Sequence, residues 1–353
     1  MHSLPQIEKI IRDNAPLFKK THIPETIQFK LNLIRKNSPH VALGLVVVDE
    51  KENPYFVIKI PQQFSKVCDE AIEREYKFLT LLSKMKDIKD TVPKPINFIA
   101  FKDRKMAVYT YVSHHMVYEP VESCTDTFKK EWVQIPLNWL KEFHGQLKLK
   151  VIDETFMTHF FNNEPNRVVD TLRSDIHPLL ESVKSLISER LKLLLIHDIP
   201  LGLSHGDFNM WNVGIQDSGK LAVFDWEDAE EHYPLLFDYF YFFIVFYWGL
   251  FWAHDKNKGL DANFIQRNMD PLISMVQDCL ANFQKTYPTV TMDDIDTLFM
   301  LFLYRNICID SEIKRSSKVN ISRWVNIING MKKPPFFINY FEQQKESLLS
   351  KRS

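Results

Sequence analysis

The amino-acid sequence predicts an α+β protein of two lobes, in which a small lobe rich in antiparallel strands precedes a larger, mainly helical lobe. Strand-like runs bounded by short turn signals occupy the first third of the chain, at 26–35, 40–49, 55–60 and 104–112. After about residue 113 the balance of the sequence becomes helical. A chain of 353 residues is also long enough for about two domains. We therefore expect an N-terminal lobe over 1–112 and a C-terminal lobe over 113–353.

The elements of the first lobe follow from local patterns. A short helix is predicted at the start of the chain, ending near Asn14-Ala15-Pro16. The strands are joined by the turn signals KNSP at 36–39 and EKENP at 50–54, which favour antiparallel neighbours. A helix is predicted over 68–85, since its apolar residues recur every three or four positions. The two prolines of VPKPI, at 92–96, prevent it from continuing.

In the second lobe the segment 128–147 predicts one helix or two, with an interruption near Pro136. A longer helix is predicted over 174–195. Two polar segments follow at 203–215 and 221–231, on either side of a hairpin-like turn at 217–219. Everything from Leu235 onward predicts helices with polar connections.

Composition and charge exclude several classes of protein. Hydrophobic residues make up 45% of the chain and charged residues 25%, as in ordinary globular proteins. The formal net charge of -1 does not indicate a nucleic-acid partner. The four cysteines have no metal-ligand spacing, so we expect reduced thiols. The N-terminal residues lack the order of a signal peptide. These features together favour a cytoplasmic location.

One aromatic run raises the question of a membrane segment. Residues 235–253 read LLFDYFYFFIVFYWGLFWA, with Asp238 as their single charge. That length is close to the roughly 20 residues that cross a bilayer as a helix. The run contains an interior carboxylate and has no basic residue on either side before Lys256. We therefore expect a helix in the protein core and no transmembrane span.

The two polar segments carry side chains suited to a divalent cation. Asp207 and Asn212 lie five residues apart, and Asp225 follows thirteen residues later. Carboxylate and amide oxygens are hard ligands that suit Mg²⁺ better than zinc. If Asn212 and Asp225 hold the metal, Asp207 is available to accept a proton from a substrate hydroxyl. Such a set of residues is typical of phosphoryl transfer.

Phosphoryl transfer from a nucleotide also needs a lysine at the phosphates. Lys59, on the predicted strand 55–60, is a candidate, and Glu75 on the following helix is a candidate for its ion-pair partner. Glu73 is two residues away from Glu75, so the choice of glutamate rests on the position of Glu75 directly before the apolar face.

At this point the sequence resembles the aminoglycoside phosphotransferase and choline-kinase family, whose members have a protein-kinase-like fold. The motif is His205-Gly206-Asp207, then Asn212, then Asp225-Trp226-Glu227. Further segments of the resemblance are VIKI with Lys59, REYKFLTLL with Glu75, VPKPI, LKEFHG, and residues 234–238. The FNMWN segment is most similar to bacterial members that phosphorylate small molecules or sugars, some of them linked to surface polysaccharides.

The resemblance implies a role for each matching residue. Asp207 would be the catalytic base, Asn212 and Asp225 the magnesium ligands, and Lys59 the contact to the α- and β-phosphates of ATP, with Glu75 as its partner. Two further segments would contact the nucleotide: the phosphate loop at 37–39 through Ser38, and the adenine-binding stretch through backbone groups of Thr110, Tyr111 and Val112. The phosphate loop lacks glycine, which is a departure from the family.

Other polar residues near these motifs have plainer interpretations. His205 is expected to bond to backbone and hold the Asp207 loop, because imidazole suits zinc better than magnesium. His144 is expected to be a core histidine. For Glu227, a water-mediated metal contact and a solvated carboxylate are equally consistent with the sequence.

The sequence thus predicts an ATP-dependent phosphotransferase acting on a hydroxyl of a small molecule such as a sugar, amino sugar or amino alcohol. The alternative is a catalytically inactive binding or regulatory module with the same fold. Two charged segments bear on the acceptor: 221–255 has seven acidic residues and no Lys or Arg, and 313–333 has six basic residues and no acid. They suit a cationic acceptor, or a phosphorylated or acidic sugar or membrane surface, or are simply solvated faces. The acceptor, the oligomeric state and the choice between ATP and GTP stay open.

Overall fold

The computed structural model describes residues 4–13, 27–32, 42–61, 66–101, 104–166, 195–258, 260–312, 318–331 and 333–350, with eight residues between 181 and 194. The chain divides into two compact units: Met1–His115 with Asn212–Ala229, and Met116–Trp211 with Glu230–Ser353. The segment 212–229 therefore belongs to the first unit, whereas the sequence alone assigns it to the second lobe. The secondary structure is α+β, as predicted, with its largest antiparallel sheet in the N-terminal part and most helices in the C-terminal part.

The first unit contains a five-stranded antiparallel sheet in the order β1-β2-β3-β5-β4. Its strands are β1 (Gln28–Asn32), β2 (Ala42–Val48), β3 (Pro54–Pro61), β4 (Pro95–Phe101) and β5 (Arg104–Thr110). Helix α1 spans Leu4–Asp13, and helix α2 spans Lys66–Leu82 between β3 and β4. The predicted strands and helices are confirmed here, except that the sequence analysis missed β4. It begins at Pro95, the second of the two prolines that end the preceding helical pattern.

One face of this sheet builds the core of the first unit. Residues alternate between buried and partly exposed positions along β3, so Phe56, Ile58 and Ile60 share one face. Ile7 and Ile11 of α1 belong to the same buried cluster. Lys59 lies on the opposite face of β3 and is not part of this cluster.

A short hairpin completes the first unit. Strands β9 (Val213–Ile215) and β10 (Leu221–Val223) pair antiparallel around the predicted turn. The hairpin attaches to the rest of the unit through backbone, since the amide of Val223 donates to the carbonyl of Thr91 at 2.8 Å. A single 3₁₀ turn, Trp226–Asp228, follows it. These contacts explain why 212–229 groups with the first unit.

The second unit is mainly helical. Its helices are α3 (Tyr118–Glu122), α4 (Glu131–Gly145), α5 (Glu154–Asn166), α6 (Leu236–Lys258), α7 (Ala262–Thr286), α8 (Met292–Glu312), α9 (Lys318–Gly330) and α10 (Phe336–Ser350). A small sheet in the order β11-β8-β7 joins β7 (Lys150–Val151), β8 (Pro200–Ser204) and β11 (Glu230–Pro234). Strand β6 (His115–Met116) lies where the two units divide. Most of the predicted helix 174–195 lies outside the described residues.

Pro136 lies inside a single helix, α4, and does not split it in two. Proline removes one helical hydrogen bond. On both sides of it, however, Val133, Trp139, Leu140 and Phe143 are buried along the same helix. Their burial outweighs the loss of one backbone bond.

The aromatic run forms α6, and its burial confirms the prediction of a core helix. Phe240, Phe242, Phe243 and Phe246 have no solvent exposure. The ring of Phe240, for example, lies 4.6 Å from that of Phe337 in α10, centre to centre. Among the described helices, none combines the length and hydropathy that a membrane crossing requires.

Candidate active site

Lys59 lies on β3, on the face opposite Ile58 and Ile60. Its ammonium nitrogen is 2.9 Å from a carboxylate oxygen of Glu75 and 2.5 Å from Oδ1 of Asp225. The lysine side chain is only 16% exposed. A largely buried cation thus lies between two carboxylates that come from distant parts of the chain.

Glu75 is held on the inner face of α2 and is 2% exposed. It accepts a hydrogen bond from the amide of Trp226 at 3.3 Å, and the hydroxyl of Tyr109 donates to its Oε2 at 3.4 Å. Glu73, the alternative considered from the sequence, instead pairs with Lys105. Of the two glutamates, Glu75 is the one that contacts Lys59.

Asp225 follows the hairpin strand β10 and has an unusual backbone conformation. Its φ of 64° and ψ of 58° lie in the left-handed region, which non-glycine residues seldom occupy. Asp is among the residues that tolerate this region, because its side chain is short and polar. The Asp225 side chain is 38% exposed, so its carboxylate contacts Lys59 and also faces solvent.

The charges of this cluster perturb one another. Burial acts to lower the pKa of Lys59, but the carboxylates of Asp225, Glu75 and Glu227 outweigh it and raise that pKa above the ordinary value. Burial raises the pKa of Glu75, against the opposing effect of Lys59. Burial, with the neighbouring charge of Glu75, also raises the pKa of Tyr109. Lys59 therefore remains a cation at every physiological pH.

Asn212 opens the hairpin and is 6% exposed. Its backbone carbonyl accepts a hydrogen bond from the amide of Phe224 at 2.9 Å. Asn212 therefore lies directly across the hairpin from Phe224, the residue that precedes Asp225. Asn212 thus directly precedes the first strand of the hairpin, and Asp225 lies shortly after its second strand. Both residues belong to the first unit.

The stretch 110–112 follows β5, and some of its backbone groups already have partners. The amide of Thr110 donates to the carbonyl of Lys94, and its hydroxyl accepts from the amide of Lys94, both at 2.9 Å. The carbonyl of Val112 lies 2.6 Å from Nδ1 of His114, and the Tyr111 ring centre is 6.3 Å from that of His114. Ser38 lies outside the described residues.

Asp207 lies in the second unit, in a loop directly after β8. The loop is held by the buried carboxylate of Asp238 on α6, which is 1% exposed. Asp238 accepts from the hydroxyl of Ser204 at 2.9 Å and from the amides of His205 and Gly206 at 2.8 and 3.1 Å. Gly206 has a φ of 82°, a conformation that favours glycine.

His205 also has a structural contact, since its Nδ1 accepts from the amide of Asp207 at 3.3 Å. A backbone contact is what the sequence predicts for this histidine. The role of Asp238 as the anchor of the loop was not predicted. The single carboxylate in the apolar run 235–253 was the available signal, because buried charges need partners.

Asn209 contacts the carboxylate of Asp207 and is 2% exposed. Its amide nitrogen donates to Oδ1 of Asp207 at 2.8 Å and to the Asp207 carbonyl at 3.0 Å, while its oxygen accepts from the amide of Trp211. Phe208 and Met210, on either side, are fully buried. The orientation of the Asp207 carboxylate is therefore set by a buried amide, which the sequence analysis did not identify.

The remaining polar residues have surroundings of their own. His144 is 4% exposed, and burial lowers its pKa to about 3, so it is a neutral core histidine. Glu227 is 7% exposed, which disagrees with a solvated carboxylate. The guanidinium of Arg323, in the basic segment, lies 5.0 Å from the centre of the Trp248 ring. Lys314, Arg315 and Lys332 of that segment lie outside the described residues.

The donor set in the first unit fits a magnesium ion better than a transition metal. Across the described part of the chain there is no group of three or more His, Cys, Asp and Glu side chains that could hold a metal. Magnesium, however, usually takes one or two protein carboxylates and completes its coordination with water and phosphate oxygens. Asp225 supplies a solvent-facing carboxylate, and Asn212 an amide oxygen, on the same hairpin.

The arrangement is similar to one found in a known class of protein. In protein kinases a strand lysine pairs with a helix glutamate, and a later aspartate holds Mg²⁺. The model of the phosphotransferase enzyme family (APH) matches residues 46–270, and the chain belongs to this family. By class it is therefore a phosphotransferase.

Comparison with solved structures finds aminoglycoside phosphotransferases. The APH(3'')-Id enzyme from Streptomyces rimosus ATCC10970 is 10% identical, with a TM-score of 0.48, and the match covers 86% of this chain and 99% of that one. The same enzyme in complex with ADP and streptomycin gives 11% identity and a TM-score of 0.47 over 86% and 99% of the chains. An aminoglycoside-3'-phosphotransferase of type VIII is 10% identical, with a TM-score of 0.47 over 86% and 100%. No curated protein matches the sequence.

Proposed function

We propose that this protein transfers the γ-phosphate of ATP to a hydroxyl group of a small molecule. The observation that carries the proposal is the cluster of Lys59, Glu75 and Asp225, in which a buried cation is oriented by one buried and one solvent-facing carboxylate. An arrangement needed only for stability would not require a strained left-handed Asp225 at its open side.

In this proposal Lys59 contacts the α- and β-phosphates, and Glu75 holds the lysine in place. Asn212 and Asp225 would hold the magnesium ion, which neutralises part of the phosphate charge when bound. The stretch of Thr110, Tyr111 and Val112 would contact adenine, and Ser38 the phosphates. The high pKa of Lys59 keeps it charged throughout turnover, which stabilises charge on the transferred phosphoryl group.

Asp207 is the proposed catalytic base. The acceptor oxygen forms a bond to the γ-phosphorus while the bond from that phosphorus to the β–γ bridging oxygen breaks. The hydroxyl proton passes to the Asp207 carboxylate, and ADP leaves. Asn209 would present one Asp207 oxygen to the acceptor by bonding the other. We also propose a sugar, amino sugar or amino alcohol as acceptor, and a cytoplasmic location, in keeping with four cysteines that are free thiols.

The first test compares Asp207→Ala with Asp217→Ala. We expect the Asp207 variant to lose at least about a hundredfold in turnover, within the usual contribution of a general base. Its shift in melting temperature on adding ATP and Mg²⁺ should match that of the wild-type protein. Asp217 lies in the exposed hairpin turn, so its removal should leave both quantities unchanged. Phosphate transfer is measured as ADP release against a panel of sugars, amino alcohols and aminoglycosides.

The inactive alternative gives a different pattern. A binding module with a degenerate site would show no magnesium-dependent shift in melting temperature with ATP and no ADP release with any acceptor. Binding of ATP with full turnover in Asp207→Ala would instead reject Asp207 as the base.

A further inference from the structure

Two adjacent residues of α2 contact the backbone that follows Asp225. Glu75 accepts from the amide of Trp226 at 3.3 Å, and Nη1 of Arg74 donates to the carbonyl of Glu227 at 3.0 Å. The peptide group before Trp226 and the peptide group after Glu227 are therefore bonded to successive side chains of one helix. Arg74 is the first residue of the segment REYKFLTLL, in which the resemblance implies a role only for Glu75.

The segment held in this way is short. The 3₁₀ turn after Asp225 is three residues long, and such turns have poorer hydrogen-bond geometry than α-helices. Within it, the amide of Ala229 donates to the carbonyl of Trp226 at 3.2 Å. The indole of Trp226 donates to the carbonyl of Val223 at 3.4 Å, which anchors the ring and leaves the peptide groups to other partners.

The conformation of Asp225 needs such external support. A left-handed non-glycine residue persists when its surroundings determine it more strongly than its own preference does. The bond from Arg74 is charge-assisted on the donor side and therefore stronger than a neutral hydrogen bond. The neighbouring Glu73 pairs with Lys105, so that carboxylate has a cation of its own apart from Arg74.

We propose that Arg74 is a positioning residue that holds Asp225 in the conformation that binds the metal. Helix α2 then orients two groups of the site at once: Lys59 through Glu75, and Asp225 through Arg74. This inference rests on the proposed function for the role of Asp225, whereas the contact to the Glu227 carbonyl can be tested without it.

The first experiment measures amide hydrogen exchange in the protein without nucleotide. Peptides covering 222–230 are compared in the wild type, Arg74→Met, Arg74→Lys and Lys77→Met. We expect exchange over 225–229 to be about tenfold faster in Arg74→Met, as for the loss of one charge-assisted bond. Lys77 is one turn further along α2, and its ammonium lies 5.0 Å from the centre of the Phe78 ring, so Lys77→Met should exchange like the wild type. Arg74→Lys, which keeps a cation, should fall between them.

The second experiment separates metal-dependent from metal-independent binding. The Kd for ATP is measured with Mg²⁺ and with EDTA. Arg74→Met should raise the Kd for ATP with Mg²⁺ about tenfold, and leave the Kd in EDTA unchanged, because Lys59 and Glu75 are intact. A merely structural role would weaken both equally.

Equal exchange over 225–229 in Arg74→Met and the wild type would overturn the proposal, and so would an equal loss of ATP affinity with and without Mg²⁺. If Arg74→Met loses the far-ultraviolet circular dichroism of the wild type, it has not folded. The same two measurements on Arg74→Lys, with Lys77→Met as the control, then decide the proposal. If wild-type protein binds ATP no better with Mg²⁺ than with EDTA, the proposed function fails, and the exchange data alone decide whether Arg74 holds the turn.

Discussion

Glu75 and Asp238 are two buried carboxylates that the protein stabilises in different ways. Glu75, in the first unit, has the ammonium of Lys59 at 2.9 Å. Asp238, in the second, accepts hydrogen bonds from one hydroxyl and two backbone amides. Burial raises the pKa of both, and in each case the partners act in the opposite direction.

The difference follows from what each carboxylate does. Glu75 contacts a side chain of the candidate site, so its partner is a charge. Asp238 shapes a loop, so its partners are the backbone groups of that loop. Both partners of an ion pair can be replaced together by apolar residues. The backbone amides that bond to a carboxylate, by contrast, remain after the carboxylate is replaced. This contrast leads to three predictions.

The largest effect is expected for Asp238→Ala. Removal of this carboxylate takes away the acceptor of the buried His205 amide and Ser204 hydroxyl, and one of the two acceptors of the Gly206 amide, so we expect a loss of roughly 4 kcal/mol in the free energy of unfolding. Urea denaturation measures it. Asp238→Asn, which keeps one acceptor oxygen, should lose less. Asp255→Ala, at an exposed position on the same helix, is the control and should cost under about 1 kcal/mol. A loss for Asp238→Ala as small as that of the control would contradict this view of the loop.

The second prediction concerns Lys59→Met. This change leaves Glu75 buried without its cation, and because the lysine is partly solvent-exposed we expect a loss of about 2 kcal/mol at pH 8. The loss should be smaller at pH 5, where Glu75 more readily takes up a proton. The double variant Lys59→Met with Glu75→Met should recover most of the stability but no binding of ATP with Mg²⁺. If the double variant is less stable than Lys59→Met, the pair is not the unit of stabilisation.

The smallest effect is expected at a third buried carboxylate, Asp296 on α8. Its Oδ1 accepts from the amide of Phe336 at the start of α10, while Oδ2 has no hydrogen-bond partner among the described residues. Burial raises the pKa of Asp296 to about 6, against the amides of Phe336 and Phe337 and the charge of Arg190. The folded protein therefore binds this proton more tightly than the unfolded chain does. The contribution to stability is present below about pH 4 and is lost as pH rises through 6.

Asp296→Asn removes this titration while keeping an acceptor for Phe336. We expect the variant to match the wild type near pH 4 and to be more stable by about 1–2 kcal/mol above pH 7, measured by urea denaturation across that range. Asp278→Asn, at an exposed position on α7, should leave the pH dependence unchanged. A variant whose advantage over the wild type does not grow with pH would show that Asp296 is already compensated.

Much of the architecture could be predicted because its signals are local. The spacing of apolar residues along the sequence predicts strands β1, β2, β3 and β5 and helix α2. Strand β4 was missed, since prolines at its start obscure a pattern of only seven residues. The aromatic run required a judgement between membrane and core, and the lone Asp238 pointed to the core.

The candidate site likewise contains residues that the sequence predicts and contacts that it does not predict. The types and spacing of Asp207, Asn212 and Asp225 could be read from the chain, as could the candidate Lys59. The contacts of Asn209, Asp238 and Arg74 could not, although a lone buried charge was a signal for Asp238. In the sequence Arg74 looks like any polar residue of a surface helix. Its bond to the Glu227 carbonyl depends on the position of the turn beside it, which the sequence does not show.

The sequence by itself determined the α+β class, most elements and the residue types suited to phosphoryl transfer, because periodicity and ligand spacing are properties of neighbouring residues. Only the tertiary structure decided that Glu75 rather than Glu73 meets Lys59, that 212–229 belongs with the first unit, and that Asp238 carries the Asp207 loop. The physical reason is separation along the chain. Lys59 and Asp225 are 166 residues apart, and Arg74 and Glu227 are 153 apart. Contacts over such distances depend on how the whole chain packs.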